Sequence, residues 1–189
     1  KKKRNKMKIN LSIIVPVYKA KKTLASCLSS INNQILKSDL SIEVLIIIDD
    51  GKKYENIIPK MKKGIQVKIL KTQGIKTGPG NARNVGIKKA KGMYIGFLDA
   101  DDEWSKNYLQ NMYNLVKINN LAFAPTRIYR NKKLVNEFKG PDKDYISIGD
   151  IGEVPCSFHP FVKREQQGEF WKQRSQDVYN TANLINKNT

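Results

Sequence analysis

The chain alternates short, uninterrupted apolar runs with longer stretches of helical spacing. Leu11-Ser12-Ile13-Ile14-Val15 is apolar and β-branched and is stopped by Pro16, which predicts a buried strand. Leu24, Leu28, Ile31 and Ile35 then recur at helical intervals, so one face of a helix is expected there. Val44 to Ile48 is apolar without alternation and runs into Asp49-Asp50-Gly51. Such runs suit strands of a parallel sheet covered on both faces. Residues 53–62 predict a short helix or loop, and Ile65 to Leu70 a third strand. Gly74, Gly78, Pro79 and Gly80 mark a loop, followed by a helix from Asn81 to Lys91. Met93 to Leu98 reads as a fourth strand, again ending in acids, and Leu109, Met112 and Val116 give a third helix its buried face.

Beyond residue 120 the rhythm changes. Leu121 to Tyr129 and Leu134 to Phe138 flank Arg130-Asn131-Lys132-Lys133, the pattern of a hairpin. Residues 139–152 are rich in turn formers, Ser157 to Val162 predicts a last strand, and Gln176 to Asn186 a last helix. Strands alternating with helices imply an α/β layered sheet with right-handed crossovers. The expected organisation is a basic extension over residues 1–8, a nucleotide-binding α/β half over 9–120, and a smaller mixed half over 121–189.

Composition narrows the classes. The 189 residues carry 35 Lys and Arg against 17 Asp and Glu, a formal net charge of +18, and five of the first six residues are basic. A positive surface attracts nucleic acid, anionic lipid headgroups or phosphorylated substrates. Compositional bias toward Lys, Asn and Ile raises the charge without any of these. The basic residues are not interleaved with aromatics in one strip, so no nucleic-acid partner is expected. No apolar run approaches the ~20 residues of a membrane span. The basic start leads into a strand with a proline rather than into a signal-peptide core, and Met7 would make a natural start. A cytoplasmic protein is expected, with peripheral contact to an anionic membrane face as an extension of the charge argument. Cys27 and Cys156 are too few for a disulfide framework or a zinc ribbon and read as inert thiols. His159 is the one histidine, which excludes a two-histidine zinc site. It reads as a structural or rim residue, with metal or acceptor contact as the alternative.

The acids cluster. Asp49-Asp50 and Asp99, Asp101, Asp102 and Glu103 each follow the carboxyl end of an apolar strand, the edge where open α/β sheets bind ligands. Closely spaced carboxylates raise one another's pKa, and a hard cation such as Mg²⁺ or Mn²⁺ relieves the repulsion while leaving positions for phosphates. The competing reading is that Asp102 and Glu103 cap the third helix. Gly78-Pro79-Gly80-Asn81-Ala82-Arg83-Asn84 precedes a helix, where free amide groups and Arg83 suit a phosphate or a base oxygen. It fails as a dinucleotide fingerprint, because Arg83 stands where a third glycine is needed.

In this order these segments resemble the family 2 glycosyltransferases of the GT-A fold. Ser12 to Tyr18 resembles the family's opening strand, Ile48-Asp49-Asp50-Gly51 its second acidic motif, Ala82-Arg83-Asn84-Val85-Gly86 its Ala-Arg-Asn-x-Gly helix start, and Leu98-Asp99-Ala100-Asp101-Asp102 its metal-binding Asp-x-Asp. The resemblance implies a mostly parallel central sheet flanked by helices. It implies inverting transfer of a sugar from a nucleoside diphosphate, most often UDP, to a hydroxyl of a saccharide or lipid-linked saccharide, with Mn²⁺ or Mg²⁺. By the same resemblance Pro16, Tyr18, Asp49, Asp50, Arg83 and Asp99 lie at the nucleotide, Asp99 and Asp101 at the metal, and Asp177 is the catalytic base. Trp104 has two readings, a cover over the sugar or a packed aromatic. The chain departs from the family at Gln176, where an acid is usual, and at Lys52-Lys53-Tyr54, where Ser-x-Asp is usual. The alternatives are a sugar nucleotidyltransferase, although no glycine- and arginine-bearing loop follows the first strand, and a catalytically incomplete nucleotide-binding module.

Overall fold

The computed structural model describes residues 9–37, 40–141, 143, 145–152, 154, 159–171 and 176–188. The basic start through Lys8, Cys156, the expected strand residue Ser157 and Ser175 lie outside the described residues. Eight strands and five α-helices follow in the order β1 (Leu11–Val17), α1 (Leu24–Asn32), β2 (Ile42–Ile48), β3 (Ile65–Lys71), α2 (Pro79–Lys89), β4 (Tyr94–Phe97), α3 (Tyr108–Asn119), β5 (Leu121–Ala122), β6 (Thr126–Arg130), β7 (Lys133–Phe138), α4 (Ile148–Ile151), β8 (Phe161–Lys163) and α5 (Gln176–Asn188). Among these residues no helix is long and apolar enough to cross a membrane.

The main sheet has strand order β3-β2-β1-β4-β8-β5. β1 pairs in parallel with β2 (Val17 opposite Ile48) and with β4 (Ile14 opposite Phe97), and β3 extends the parallel set beyond β2. β8 then runs antiparallel to both β4 and β5, so the C-terminal part completes the sheet begun by the first four strands.

Both faces are covered, which is why the strands read as continuous apolar runs. Leu11, Ile13, Val15 and Val17 pack with Leu24, Leu28 and Ile31 of α1 and with Leu109, Met112 and Val116 of α3. Ile14, Leu45 and Ile47 face the other way, against Ala82 of α2 and Leu184 of α5. The period-2 alternation of side chains thus sends apolar groups into two separate cores. One acid is buried among them. Glu43, near the start of β2, accepts hydrogen bonds from Ser12 Oγ (2.7 Å), Lys68 Nζ (2.8 Å) and the Lys91 backbone. Burial alone would raise its pKa, but these donors outweigh it and hold Glu43 in the ionised form.

Several boundaries differ from the sequence reading. α1 stops at Asn32, leaving Ile35 54% exposed rather than on the buried stripe. Gln34 takes over there: its amide donates to the carbonyls of Ser30 and Ser105, and its oxygen accepts from the Leu109 N–H. That bond satisfies one of the free amides at the start of α3 from outside the helix. Asp102 and Glu103 are therefore not caps of the third helix, which begins at Tyr108 after Asn107. α2 begins two residues earlier than expected because Pro79, with its fixed φ and missing N–H, suits the first helical position. The hairpin is confined to β6 and β7. Pro125 separates Leu121 and Ala122, which instead pair with β8 as β5.

Close approach sets two glycines. A Cβ on Gly92 would lie 2.4 Å from the Ser12 nitrogen, and one on Gly96 would lie 2.3 Å from the Phe161 ring. Gly92→Ala is expected to destabilise the fold by roughly 1–3 kcal/mol, because the clash is with backbone. Gly149→Ala, where a Cβ meets nothing closer than 3.8 Å, should stay within about 0.5 kcal/mol. Urea unfolding of both variants checks the contrast.

Candidate active site

The parallel strands end on one edge, and the sheet is extended in opposite directions on the two sides of β1. β2 and β3 lie to one side and β4 to the other. The crevice at such a reversal lies outside the carboxyl ends of the strands. Val17-Tyr18, Asp49-Asp50 and Leu98-Asp99 all emerge there.

The two acids after β2 hold loops. Asp49 is buried, and its carboxylate accepts from Thr72 Oγ1 (2.8 Å), Thr77 N (3.0 Å), Thr77 Oγ1 (2.7 Å) and Gly78 N (2.9 Å). It fixes the loop that leads into α2. Asp50 accepts from the Lys19 N–H (2.9 Å), the Lys52 N–H (3.0 Å) and the Tyr54 hydroxyl (2.7 Å). The Tyr54 hydroxyl in turn accepts from the Ala20 N–H at 3.2 Å, so β1's exit loop and β2's exit loop are tied together. Burial pushes the Asp50 pKa up, but the three donors outweigh it and hold it low. Burial and then the Asp50 bond push Tyr54 up to about 12. The unusual Lys52-Lys53-Tyr54 segment therefore has a structural purpose in Tyr54 that the sequence did not disclose. Tyr18 stays exposed at the end of β1, and Pro16 is half-buried on it.

Four residues of Ala82-Arg83-Asn84-Val85-Gly86 have separate tasks. Ala82 packs in the core under α2. Gly86 lets α2 approach β1, since a Cβ there would lie 2.5 Å from Ile14 Cγ2. Arg83 is only 2% exposed and forms an ion pair through Nη2 with Asp99 Oδ1. Its guanidinium lies over the Phe170 ring, 5.4 Å from the centroid. Asn84 clamps the backbone of the same residue: its Nδ2 donates to the Phe170 carbonyl (2.8 Å) and its Oδ1 accepts from the Phe170 N–H (2.7 Å). Asn84 was not singled out in the sequence. Its signal lies in the pattern, because an amide in a helix facing the core needs both a donor and an acceptor nearby.

At the end of β4 the acids divide. Burial alone would raise the Asp99 pKa, but the Arg83 guanidinium outweighs it and holds the carboxyl well below the usual carboxylate range. Asp99 is thus engaged with protein partners, while Asp101, Asp102 and Glu103 are exposed. Asp102 keeps its exposed surface, yet partial burial, Asp99 and Asp101 push its pKa up to about 6. His159 is enclosed by the rings of Phe97 and Phe170, and its Nε2 is 3.9 Å from Asp99 Oδ2, beyond hydrogen-bond reach. Burial and then Arg83 lower its pKa, so the imidazole is neutral at pH 7. Nε and Nη1 of Arg83 and both His159 ring nitrogens are buried without a hydrogen-bond partner among the described residues. Buried polar atoms of this kind call for a partner that the described residues do not supply. Cys27 is a buried free thiol whose Sγ approaches the Asp99 carbonyl at 3.5 Å, and burial and the acids push its pKa up. Trp104 stacks on Tyr108 at 4.5 Å and packs against Phe161.

Asp177 is the second residue of α5, in its first turn and half-buried. Its charge is felt by His159. Gln176 beside it is buried, its Cγ 3.3 Å from where a Gly80 Cβ would stand. An acid in place of Gln176 would bury another negative charge next to Asp177, which a neutral amide avoids.

The profile of glycosyl transferase family 2 matches residues 12–187. The chain belongs to that family. This family 2 glycosyltransferase chain is 31% identical over 135 residues to the UDP-Glc:alpha-D-GlcNAc-diphosphoundecaprenol beta-1,3-glucosyltransferase WfgD of Escherichia coli, covering 70% of this chain and 52% of that protein. It is 33% identical over 113 residues to the amylovoran biosynthesis glycosyltransferase AmsB of Erwinia amylovora, covering 58% and 36%. The crystal structure of S. aureus TarS in complex with UDP-GlcNAc shares the fold, with a TM-score of 0.76 over 94% of this chain and 53% of that one at 19% identity. The architecture is therefore GT-A, a mostly parallel sheet with helices and a small antiparallel sheet. The chain spans about half the length of WfgD and less of AmsB.

The Arg83–Asp99 pair supports a stability prediction. Asp99→Asn leaves a buried guanidinium without its counter-charge and should cost about 3 kcal/mol at pH 7. Asp99→Asn combined with Arg83→Met should recover part of that loss. Because the folded Asp99 pKa is depressed, its contribution is present above the unfolded value of about 3.9 and is lost as pH falls below it. Unfolding curves between neutral and acid pH should be steeper for the native chain than for Asp99→Asn.

Proposed function

We propose that this chain transfers a hexose or N-acetylhexosamine from a UDP-sugar to a hydroxyl of a saccharide acceptor, free or lipid-linked, with inversion at the anomeric carbon. Family membership supports the reaction class. The observation that carries the reading is the junction of the strand-end acids with α5. Asn84 holds Phe170, Phe170 and Phe97 enclose His159, and His159 lies 3.9 Å from Asp99 and feels the charge of Asp177. Polar groups that could serve a donor and a base that could serve an acceptor then meet at one edge.

In this reading Pro16, Tyr18 and Asp50 line the nucleotide site, and Asp49 keeps its loop in shape. In the same reading Arg83 serves the base or the diphosphate. Asp177 takes the proton of the acceptor hydroxyl as its oxygen attacks the anomeric carbon. The new C–O bond forms on the face opposite the bond to the diphosphate, which breaks and leaves with its electron pair. Residues 9–120 carry the donor side and 121–189 the acceptor side.

Among the described residues no group of three or more His, Cys, Asp or Glu side chains is disposed to hold a metal unaided. The donor set still fits a hard cation, because Asp101 and Asp102 are exposed carboxylates at the strand end, where partial burial and then Asp99 and Asp101 push Asp102 up to about 6. Asp101, with Asp99 beside it, would hold Mn²⁺ or Mg²⁺ while phosphate oxygens fill the open positions. When bound, the ion offsets charge on the leaving diphosphate.

Titration calorimetry with UDP and Mn²⁺, paired with transfer and donor-hydrolysis assays, tests these roles. Asp101→Asn should lose metal-dependent turnover. Asp177→Asn should keep UDP affinity within about twofold and lose transfer by roughly 10²–10⁴-fold. Full activity in either variant removes that residue from its role, and UDP binding by the native chain without any turnover favours a nucleotide-binding module.

A further inference from the structure

The β6–β7 hairpin stands outside the six-stranded sheet as a separate two-stranded ribbon. Two-stranded ribbons are marginal in water unless something packs on them. Here the cross-strand pair Tyr129 and Leu134 is 59% and 51% exposed, and Val135, at the register shift beside it, is 53% exposed. Arg130 pairs with Lys133 across the last rung, and Asn131 and Lys132 form the turn with φ of 49° and 62°. That geometry puts Arg130, Lys132 and Lys133 together at the tip, next to the apolar group. Among the described residues none of the three is in an ion pair, while Arg127 nearer the base is matched by Glu137 at 2.6 Å. At the base, Phe138 and Lys139 line a cavity of about 520 Å³ shared with Leu115, Tyr145 and Ile146. None of the strand-end acids lines it. The cavity at the base of the hairpin thus lies apart from the strand-end acids.

We propose that the β6–β7 hairpin docks this protein onto an anionic lipid bilayer. Three cations at the tip, unpaired among the described residues, and the exposed Tyr129, Leu134 and Val135 on the adjacent rung form the pattern that an anionic interface receives. The cations meet headgroup phosphates, the tyrosine sits at headgroup depth, and the aliphatic groups reach the acyl boundary. A nucleic-acid groove would use the cations but would leave the aliphatic pair exposed, and a protein partner would need acidic groups at its rim. The proposal does not rest on the transfer reaction, and its test uses neither donor nor acceptor.

The test is co-sedimentation of the full chain with vesicles of phosphatidylcholine, with and without phosphatidylglycerol, at near-physiological salt. The native chain should pellet with the anionic vesicles only. Arg130→Glu/Lys132→Glu/Lys133→Glu should lower the partition coefficient by on the order of a hundredfold. Tyr129→Ser/Leu134→Ser/Val135→Ser should lower it at least about tenfold. Circular dichroism and the unfolding midpoint of both variants should match the native chain, since these side chains lie outside the two cores. The proposal is overturned if the native chain stays in the supernatant, or if either folded variant pellets as well as the native chain. It is equally overturned if the variants lose binding to a mixed-sequence RNA that the native chain prefers to vesicles. A native dimer in lipid-free analytical ultracentrifugation that becomes monomeric in the apolar variant would assign the face to a second copy instead.

Discussion

The ion pair between Arg83 and Asp99 is the constraint on which the candidate site depends. A guanidinium this deeply buried needs a counter-charge, and Asp99 at the end of β4 is the one that reaches it. The pair ties α2 to the strand that carries the acid cluster. Arginine suits the place better than lysine, because its flat group spans Asp99 on one side and the Phe170 ring on the other. The next residue, Asn84, fixes the backbone of Phe170 through both of its polar atoms. A single turn of helix therefore connects the end of β4 to the segment around Phe170.

Around that pair the acids separate into two kinds. Asp49 and Asp50 accept hydrogen bonds from several loop groups each and serve as braces for the edge of the sheet. Asp99 is a brace as well. Asp101 and Asp102 project beyond it with exposed surface, and partial burial with the neighbouring Asp99 and Asp101 raises the pKa of Asp102. Rigid carboxylates holding loops and free carboxylates facing solvent, a few residues apart, make a preorganised edge rather than a flexible one.

The departures from the family pattern become intelligible in the same terms. Tyr54 gives Asp50 a buried donor and joins the exit loops of β1 and β2. Gln176 keeps a buried position neutral where Asp177 and Asp99 already contribute negative charge. His159 takes the structural rather than the rim position of its two expected places: it is a neutral imidazole enclosed by the rings of Phe97 and Phe170, near Asp99.

What the sequence determined by itself was the part governed by local periodicity and order. The apolar runs at Leu11–Val15 and Val44–Ile48 had to be strands covered on both faces, because the two-residue alternation of a strand sends such a run into two cores. The acids after Val44–Ile48 and Met93–Leu98 had to meet at one edge, because parallel strands end together. The family resemblance of the four segments followed from their order and spacing. Tertiary structure alone decided the rest, since it turned on partners distant in the chain. Ile35 lost its place on the helix because Gln34 reached Ser105 and Leu109. Leu121 and Ala122 joined β8 because Pro125 divided them from the hairpin. Asp99 became the partner of Arg83, and Asn84 the clamp on Phe170, across 16 and 86 residues of chain respectively. No local pattern records which buried charge a distant carboxylate will meet; packing the sheet between its helices is what brings them together.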